Sequence, residues 1–305
     1  MAAVLLRLAG AAAVAAGGLA GSTWQQAAPL PTPRSEVAAA VVRGEIVVAG
    51  GFLSDGTSSR EVDAFSPATG KWRRLPDLPF GLNHAAAAGY AGRAYVLGGY
   101  RDHGGQQRRE AYVLEAGRWR PLPKLPEARG AAGAAVIGKT LYLVGGVAPS
   151  GVPRRMLAFD LVKRRWSTLP GPTPREHLAV AAYRGRLYAL GGRVGGYTNS
   201  FATFESAIPG KAWQSLPPVP TVRSGTGMAV LAGTIVSVGG ETADGIVKDV
   251  YGYDVARGTW ARLADLPTPR HGLGVVTLAG RVWAVGGGPE PGLTVTAANE
   301  VLDLP

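Results

Sequence analysis

Five arginines recur in register. Arg34, Arg129, Arg175, Arg223 and Arg270 each stand sixteen residues before a Gly-Gly pair, and only Leu82 breaks the series. A guanidinium is a planar fork that grips carboxylate or phosphate through two parallel hydrogen bonds, so five of them at one mouth could hold an anion. The other reading is a repeat consensus in which each arginine donates to main-chain carbonyls of its own or a neighbouring repeat. All four histidines fall close by: His84, His177 and His271 in the arginine-bearing segments, and His103 after a Gly-Gly pair. His84 and His177 lie two residues past the arginine slot, where the first copy has Glu36. Imidazole and carboxylate are the usual groups for proton transfer near neutral pH. A metal ion would need such groups on neighbouring repeats, and these belong to copies one, two and four. No metal site and no cofactor is therefore expected.

These residues need a scaffold that places equivalent positions on one face, and the chain provides a period. Gly-Gly pairs follow short apolar runs at Gly50, Gly98, Gly145, Gly191, Gly239 and Gly286, with gaps of 48, 47, 46, 48 and 47 residues. Tryptophan keeps the same beat at Trp24, Trp72, Trp119, Trp166, Trp213 and Trp260. Two independent markers in one period signal a repeat architecture. Each copy holds four strand signals. A small-residue run follows the arginine, and a continuous apolar run such as RLYALGG is suited to a strand covered on both faces. An aromatic-bearing third run comes next, then a fourth with the tryptophan and a Leu-Pro stop. Four short strands in six copies predict an all-β, six-bladed propeller of four-stranded blades.

Trp24 and Leu30-Pro31 form a fourth strand with no first three before it, while the last copy stops after three, at Asn299 to Leu304. The N-terminal strand is therefore expected to complete the last blade and remove open edges. The tryptophans, with Tyr95, Tyr142 and Tyr188 of the second strand and Trp283 in the same slot, are expected to fill the space between blades. Truncating Trp166 is expected to cost about 3–5 kcal/mol, the range for a buried large aromatic.

Composition narrows the function classes. The chain is 46% hydrophobic and 17% charged, enough apolar content for a large core. With no cysteine, disulfides, thiolate metal sites and a cysteine nucleophile are excluded. The net charge of +11 would draw an acidic partner, or it reflects arginines scattered over the surface. No basic helix or aromatic stacking motif accompanies it, so nucleic-acid binding is not expected. GGRVGG at Gly191 to Gly196 follows a strand and opens no helix, so it is not a nucleotide loop. Residues 1–21 carry one charge, Arg7, and then thirteen weakly apolar residues. That stretch is too short for a bilayer span but fits a signal peptide, cleaved between about Ala16 and Ser22. A propeller over residues 22–305, monomeric and outside the cytoplasm (periplasmic or secreted), is expected.

The double glycine, the spaced aromatic and the later tryptophan resemble kelch repeats over residues 22–305. That resemblance implies the propeller, with the arginine-bearing turns and the loops after the Gly-Gly pairs on one face. It does not fix an activity, since similar propellers serve as peptide-binding adaptors, copper-radical oxidases and a sialic-acid mutarotase. The oxidase route needs a tyrosine–cysteine cross-link, which this chain cannot make. Two roles follow: a binding module for a protein segment or acidic glycan, or an isomerase of an acidic sugar. In the second, arginine would hold the carboxylate, and His84, His177 or Glu36 would move the proton. The variable loops, with Tyr100, Arg101, Asp102, Arg193, Tyr197 and Glu241, are the expected recognition surface.

Overall fold

The computed structural model describes residues 21–305. The expected signal peptide falls almost wholly outside them. The chain folds into six four-stranded antiparallel sheets arranged as blades. Blade 1 runs outward from the axis as Ala38–Val42, Glu45–Ala49, Val62–Ser66 and Lys71–Arg74. The innermost strands of blades 2 to 6 are Ala86–Tyr90, Gly133–Ile137, Ala179–Tyr183, Gly227–Leu231 and Gly274–Leu278. Each innermost strand contacts the next, and that of blade 6 contacts that of blade 1, closing the circle. Their residues are small because the backbones converge: a Cβ on Gly89 would stand 2.0 Å from the carbonyl oxygen of Val41 in the neighbouring blade.

The ring closes through the chain ends. Thr23–Gln26 pairs antiparallel with Asn299–Asp303, with Trp24 opposite Leu302, and forms the outer strand of blade 6. Blade 4 departs from the pattern. The extra residues between Phe204 and Trp213 leave its outer strand only two residues long, Gln214–Ser215.

Each Gly-Gly pair is a latch between blades. The second glycine donates its N–H to the carbonyl of the arginine-slot residue in the next blade, from Gly51 to Leu82 at 2.7 Å through Gly287 to Arg34 at 2.8 Å. The first glycine lies against the same carbonyl. A Cβ on Gly98 would come within 2.1 Å of the Arg129 oxygen, and its φ of +61° is itself left-handed. Alanine therefore cannot replace it without parting the two blades.

The tryptophans join blades a second way. Each indole N–H donates to a carbonyl in the tail of the preceding blade: Trp119 to Pro76, Trp166 to Pro123 and Trp260 to Pro217, at 2.8 to 2.9 Å. Trp72 reaches Ala28 and Trp24 reaches Ala264, so the series passes through the closure. Burial is uneven, however. Only Trp260 is fully covered, at 1% exposure, and Trp166 is partly open to solvent. The large truncation cost expected for Trp166 therefore belongs to Trp260. Tyr95, Tyr142, Tyr188 and Trp283 are buried between sheets as expected.

Candidate functional site

The arginine ring does not face the channel. Arg34, Arg175, Arg223 and Arg270 are 0% exposed and Arg129 is 1% exposed. Each guanidinium turns into its own blade and donates to the carbonyl of the first glycine of that blade's pair, as Arg175 does to Gly191 at 2.6 Å. In three blades a third-strand acid completes the clasp: Asp63 for Arg34, Glu205 for Arg175 and Glu300 for Arg270, each at 2.5 Å. Arg129 uses the half-exposed Glu127, and Arg223 lies against the Tyr251 ring and donates to the Asp249 carbonyl. Blade 2, where Leu82 takes the arginine slot, has Tyr112 at the register position of those acids and so lacks both halves of the pair. Arginines buried to this degree, with most of their donors on carbonyls and in four blades on an acid, present no guanidinium to a ligand in the channel. The structure fits the consensus reading.

Two residues further on, the backbone does something else. Glu36, His84, Ala131, His177, Gly225 and Gly272 all adopt φ between +48° and +60°. From His84 to Gly272 each donates its N–H to the carbonyl of the equivalent residue in the preceding blade, at 2.8 to 3.1 Å. Val37 closes the circle onto Gly272 at 3.3 Å. One residue per blade thus forms a hydrogen-bonded ring around the axis. Three positions carry functional side chains and three carry alanine or glycine. The small ones make room: a Cβ on Gly272 would sit 2.5 Å from the Glu36 carboxylate.

On so tight a ring, side chains from non-adjacent blades meet. Ligand atoms of Glu36, His84 and His177 all lie within 4.8 Å of one another. The expectation that copies one, two and four are too far apart to share an ion is therefore overturned. It treated blades as neighbours or strangers, whereas at the axis all six converge.

A wider network holds the trio in place. The Asn83 amide donates to Ser58, which leaves its oxygen facing His84 Nδ1 at 2.6 Å. His84 Nε2 points at Glu36 Oε2, 3.3 Å away. His177 Nδ1 lies 2.5 Å from Glu176, and its Nε2 faces Arg193 Nη2 at 3.1 Å. Arg193 is also held by Glu176 and by the buried Glu241. His271 Nε2 donates to the Glu290 carbonyl at 3.1 Å, while its Nδ1 lies 3.2 Å from Glu36 Oε1. Glu176 was not anticipated, although it stands directly between Arg175 and His177. It is brought inward by the bridge that pairs Glu176 with Arg193.

Burial sets the charges apart. It would push the Glu36 carboxyl up, but the imidazoles of His84, His271 and His177 outweigh it and hold Glu36 well below the usual carboxylate range. Burial, with His177 and Arg193 nearby, overrides the acids at His84 and pushes it down to about 4. His271 goes the other way. Burial lowers it, but the hydrogen bond and charge of Glu36, with Glu241 behind, bring it above the ordinary value. At neutral pH His84 is a neutral imidazole beside an ionised Glu36, while His271 holds its proton to higher pH than a free imidazole does.

The network plugs the mouth of the channel. Above it is a recess of about 140 Å³ lined by Glu36, His84, His271, Arg193, Phe52 and Tyr197, among others. Below it is a smaller space of about 110 Å³ bounded by the ring itself. His103 is exposed on the recess rim, its ring edge-on to Phe52 at 5.9 Å. Tyr197 and Leu293 stand 39 and 42% exposed at the same mouth, and Val194, 40% exposed, lies in the loop between Arg193 and Tyr197. A larger groove of about 500 Å³ lies at the other end, between blades 1 and 2. Most of its rim charges pair with each other, Arg73 with Glu45 and Arg93 with Glu115, over an apolar floor, and no imidazole stands beside them.

Two family profiles match the chain: the KLHDC2/KLHL20/DRC7 Kelch-repeats domain over residues 19–192, and the Kelch motif over residues 223–267. Among curated proteins, the Kelch-like protein terF of Aspergillus terreus is 34% identical over 256 residues, covering 78% of this chain. The chain spans 46% of that relative, about half its length.

Proposed function

This chain belongs to the kelch-repeat family, and we propose that it acts as a binding propeller that receives a protein segment on the face bearing the axial recess. The observation that carries this reading is the plugged mouth. At that mouth the space is a small polar recess of about 140 Å³ lined by exposed Tyr197 and Leu293, with exposed Val194 in the adjoining loop. Exposed aromatic and aliphatic groups around a small polar socket suit a partner that seats one side chain and lays apolar surface over the rim. The socket holds Glu36, Glu176 and Glu241 against Arg193 and His271, so it favours a neutral or cationic group over an anionic one. An acidic glycan loses its main support, because the arginines that called for it are spent inside the blades. On the composition of Met1 to Gly21, we place this role outside the cytoplasm. Among the described residues no helix is long and apolar enough to cross a membrane.

A peptide-display selection against the whole chain tests the reading. Selected binders are expected to lose at least about tenfold in affinity on Tyr197→Ala, roughly the 1.4 kcal/mol of a modest hot spot. Binders indifferent to Tyr197 and Leu293 would place the interface elsewhere. A sugar isomerase is the second reading, favoured by one fact: Glu36, His84 and His177, the groups such a reaction would use, do come together. Acceleration of sialic-acid anomerisation followed by NMR supports it, and a rate equal to buffer removes it.

A further inference from the structure

We propose that Glu36, His84 and His177 form a binding site for one divalent first-row transition-metal ion, of the zinc or cobalt class, at the floor of the axial recess. The donor set is one carboxylate and two imidazoles with no thiolate, a combination that suits such ions.

The geometry carries the assignment. Asn83 presents an oxygen to His84 Nδ1, so the proton sits on that nitrogen and Nε2 is free to coordinate. That Nε2 faces Glu36 Oε2, an acceptor, at 3.3 Å. Two acceptors in such contact call for a cation between them. Donors bound to one tetrahedral ion at about 2.0–2.1 Å sit roughly 3.3 Å apart, so this edge already has the right length. His177 is oriented in the manner of a metal-binding imidazole. Its Nδ1 is held by the Glu176 carboxylate, which fixes the ring and turns Nε2 inward. The remaining edges reach up to 4.8 Å and must close by about 1.5 Å, a side-chain adjustment rather than a change of fold.

Arg193 reports on the same site. Its guanidinium lies 3.1 Å from His177 Nε2, so a cation already stands at the nitrogen a metal would take. Binding requires His177 to exchange Arg193 for the ion, while Glu176 and Glu241 keep hold of the arginine. The three small ring residues, Ala131, Gly225 and Gly272, leave the approach to the trio open from the channel side. With three protein ligands, a fourth position is left that can hold water or a group from the partner.

The test is titration of the chelator-treated full chain with Co²⁺ alone, read by its visible absorption, and with Zn²⁺ alone, read by imidazole ¹⁵N shifts. One equivalent of Co²⁺ is expected to give an intense low-symmetry spectrum that E36Q and H84Q abolish. Asn83→Ala, which frees the His84 ring, is expected to weaken affinity about 10–100-fold. R193Q is expected to tighten binding, since it removes the competing cation. The Zn²⁺ experiment needs no variant: the Nε2 resonances of His84 and His177 should shift together at one equivalent. The proposal is overturned if the wild-type chain takes up no Co²⁺ or Zn²⁺. It is equally overturned if uptake is unchanged in E36Q, or if His84 carries protons on both nitrogens at pH 7 and bonds Glu36 directly.

Discussion

Two positions, two residues apart in every repeat, meet opposite fates. The arginines at the first position point into their blades and donate to the Gly-Gly carbonyl, three of them also to a third-strand acid. The residues at the second position have left-handed backbone and direct their side chains to the axis. At the first position the residue type is nearly invariant, arginine in five of six repeats, because there it bonds within its own blade. At the second it varies: Glu, His, Ala, His, Gly, Gly. In a radial fold, repetition marks what each blade needs for itself, and variation marks what the assembled ring does once.

The sharpest way to break that contrast is to cut a clasp. Arg270 and Glu300 are both fully buried, so Arg270→Ala strands a charge and is expected to destabilise by about 3–5 kcal/mol in a denaturant melt. An Arg270→Met/Glu300→Leu double variant, which removes both charges, should recover most of that loss. If Arg270→Ala melts like wild type, the arginines are not structural. Trp260→Ala is expected to cost a similar ~3–5 kcal/mol, and Trp166→Ala clearly less, since only Trp260 is fully covered. Equal losses would mean that indole burial does not control the blade junctions.

Arg129→Ala should fall lower, at about 1–3 kcal/mol. Its acid partner Glu127 is 36% exposed and can be rehydrated, leaving mainly the unpaired Gly145 carbonyl. The smallest effect is expected on the axis. His271 is raised above its ordinary value chiefly against burial and through Glu36, so its contribution to stability is complete below the unfolded value of about 6.5. That contribution is lost as pH rises through the higher folded value. Glu36→Gln should lower the His271 titration and flatten the fall in melting temperature above about pH 6.5. An unchanged titration would show that the two groups do not interact.

The architecture was readable in the residues because its markers are main-chain requirements. Glycines must admit a neighbouring carbonyl, and indoles must reach the preceding blade, so both recur at the blade period whatever the protein does. The unpaired Trp24 segment likewise foretold its pairing with Asn299–Asp303. The site was harder to read. The spacing of Arg34 or Arg175 fixes its position but not its direction, and only the acid on the paired strand, Asp63 or Glu205, shows that it turns inward. Glu36, His84 and His177 were recognisable as equivalent positions, yet linear distance hid their contact. Copies one and four are far apart along the chain and in blade order, but not at the axis.

The most direct measurement is the ¹⁵N imidazole spectrum of the whole chain as a function of pH. The axial network predicts His84 neutral at pH 7, with its proton on Nδ1 and titration near 4, while His271 holds both protons beyond its ordinary range. Titration of His84 and His271 together near ~6.5, as free imidazoles do, would mean that no such network closes the channel mouth.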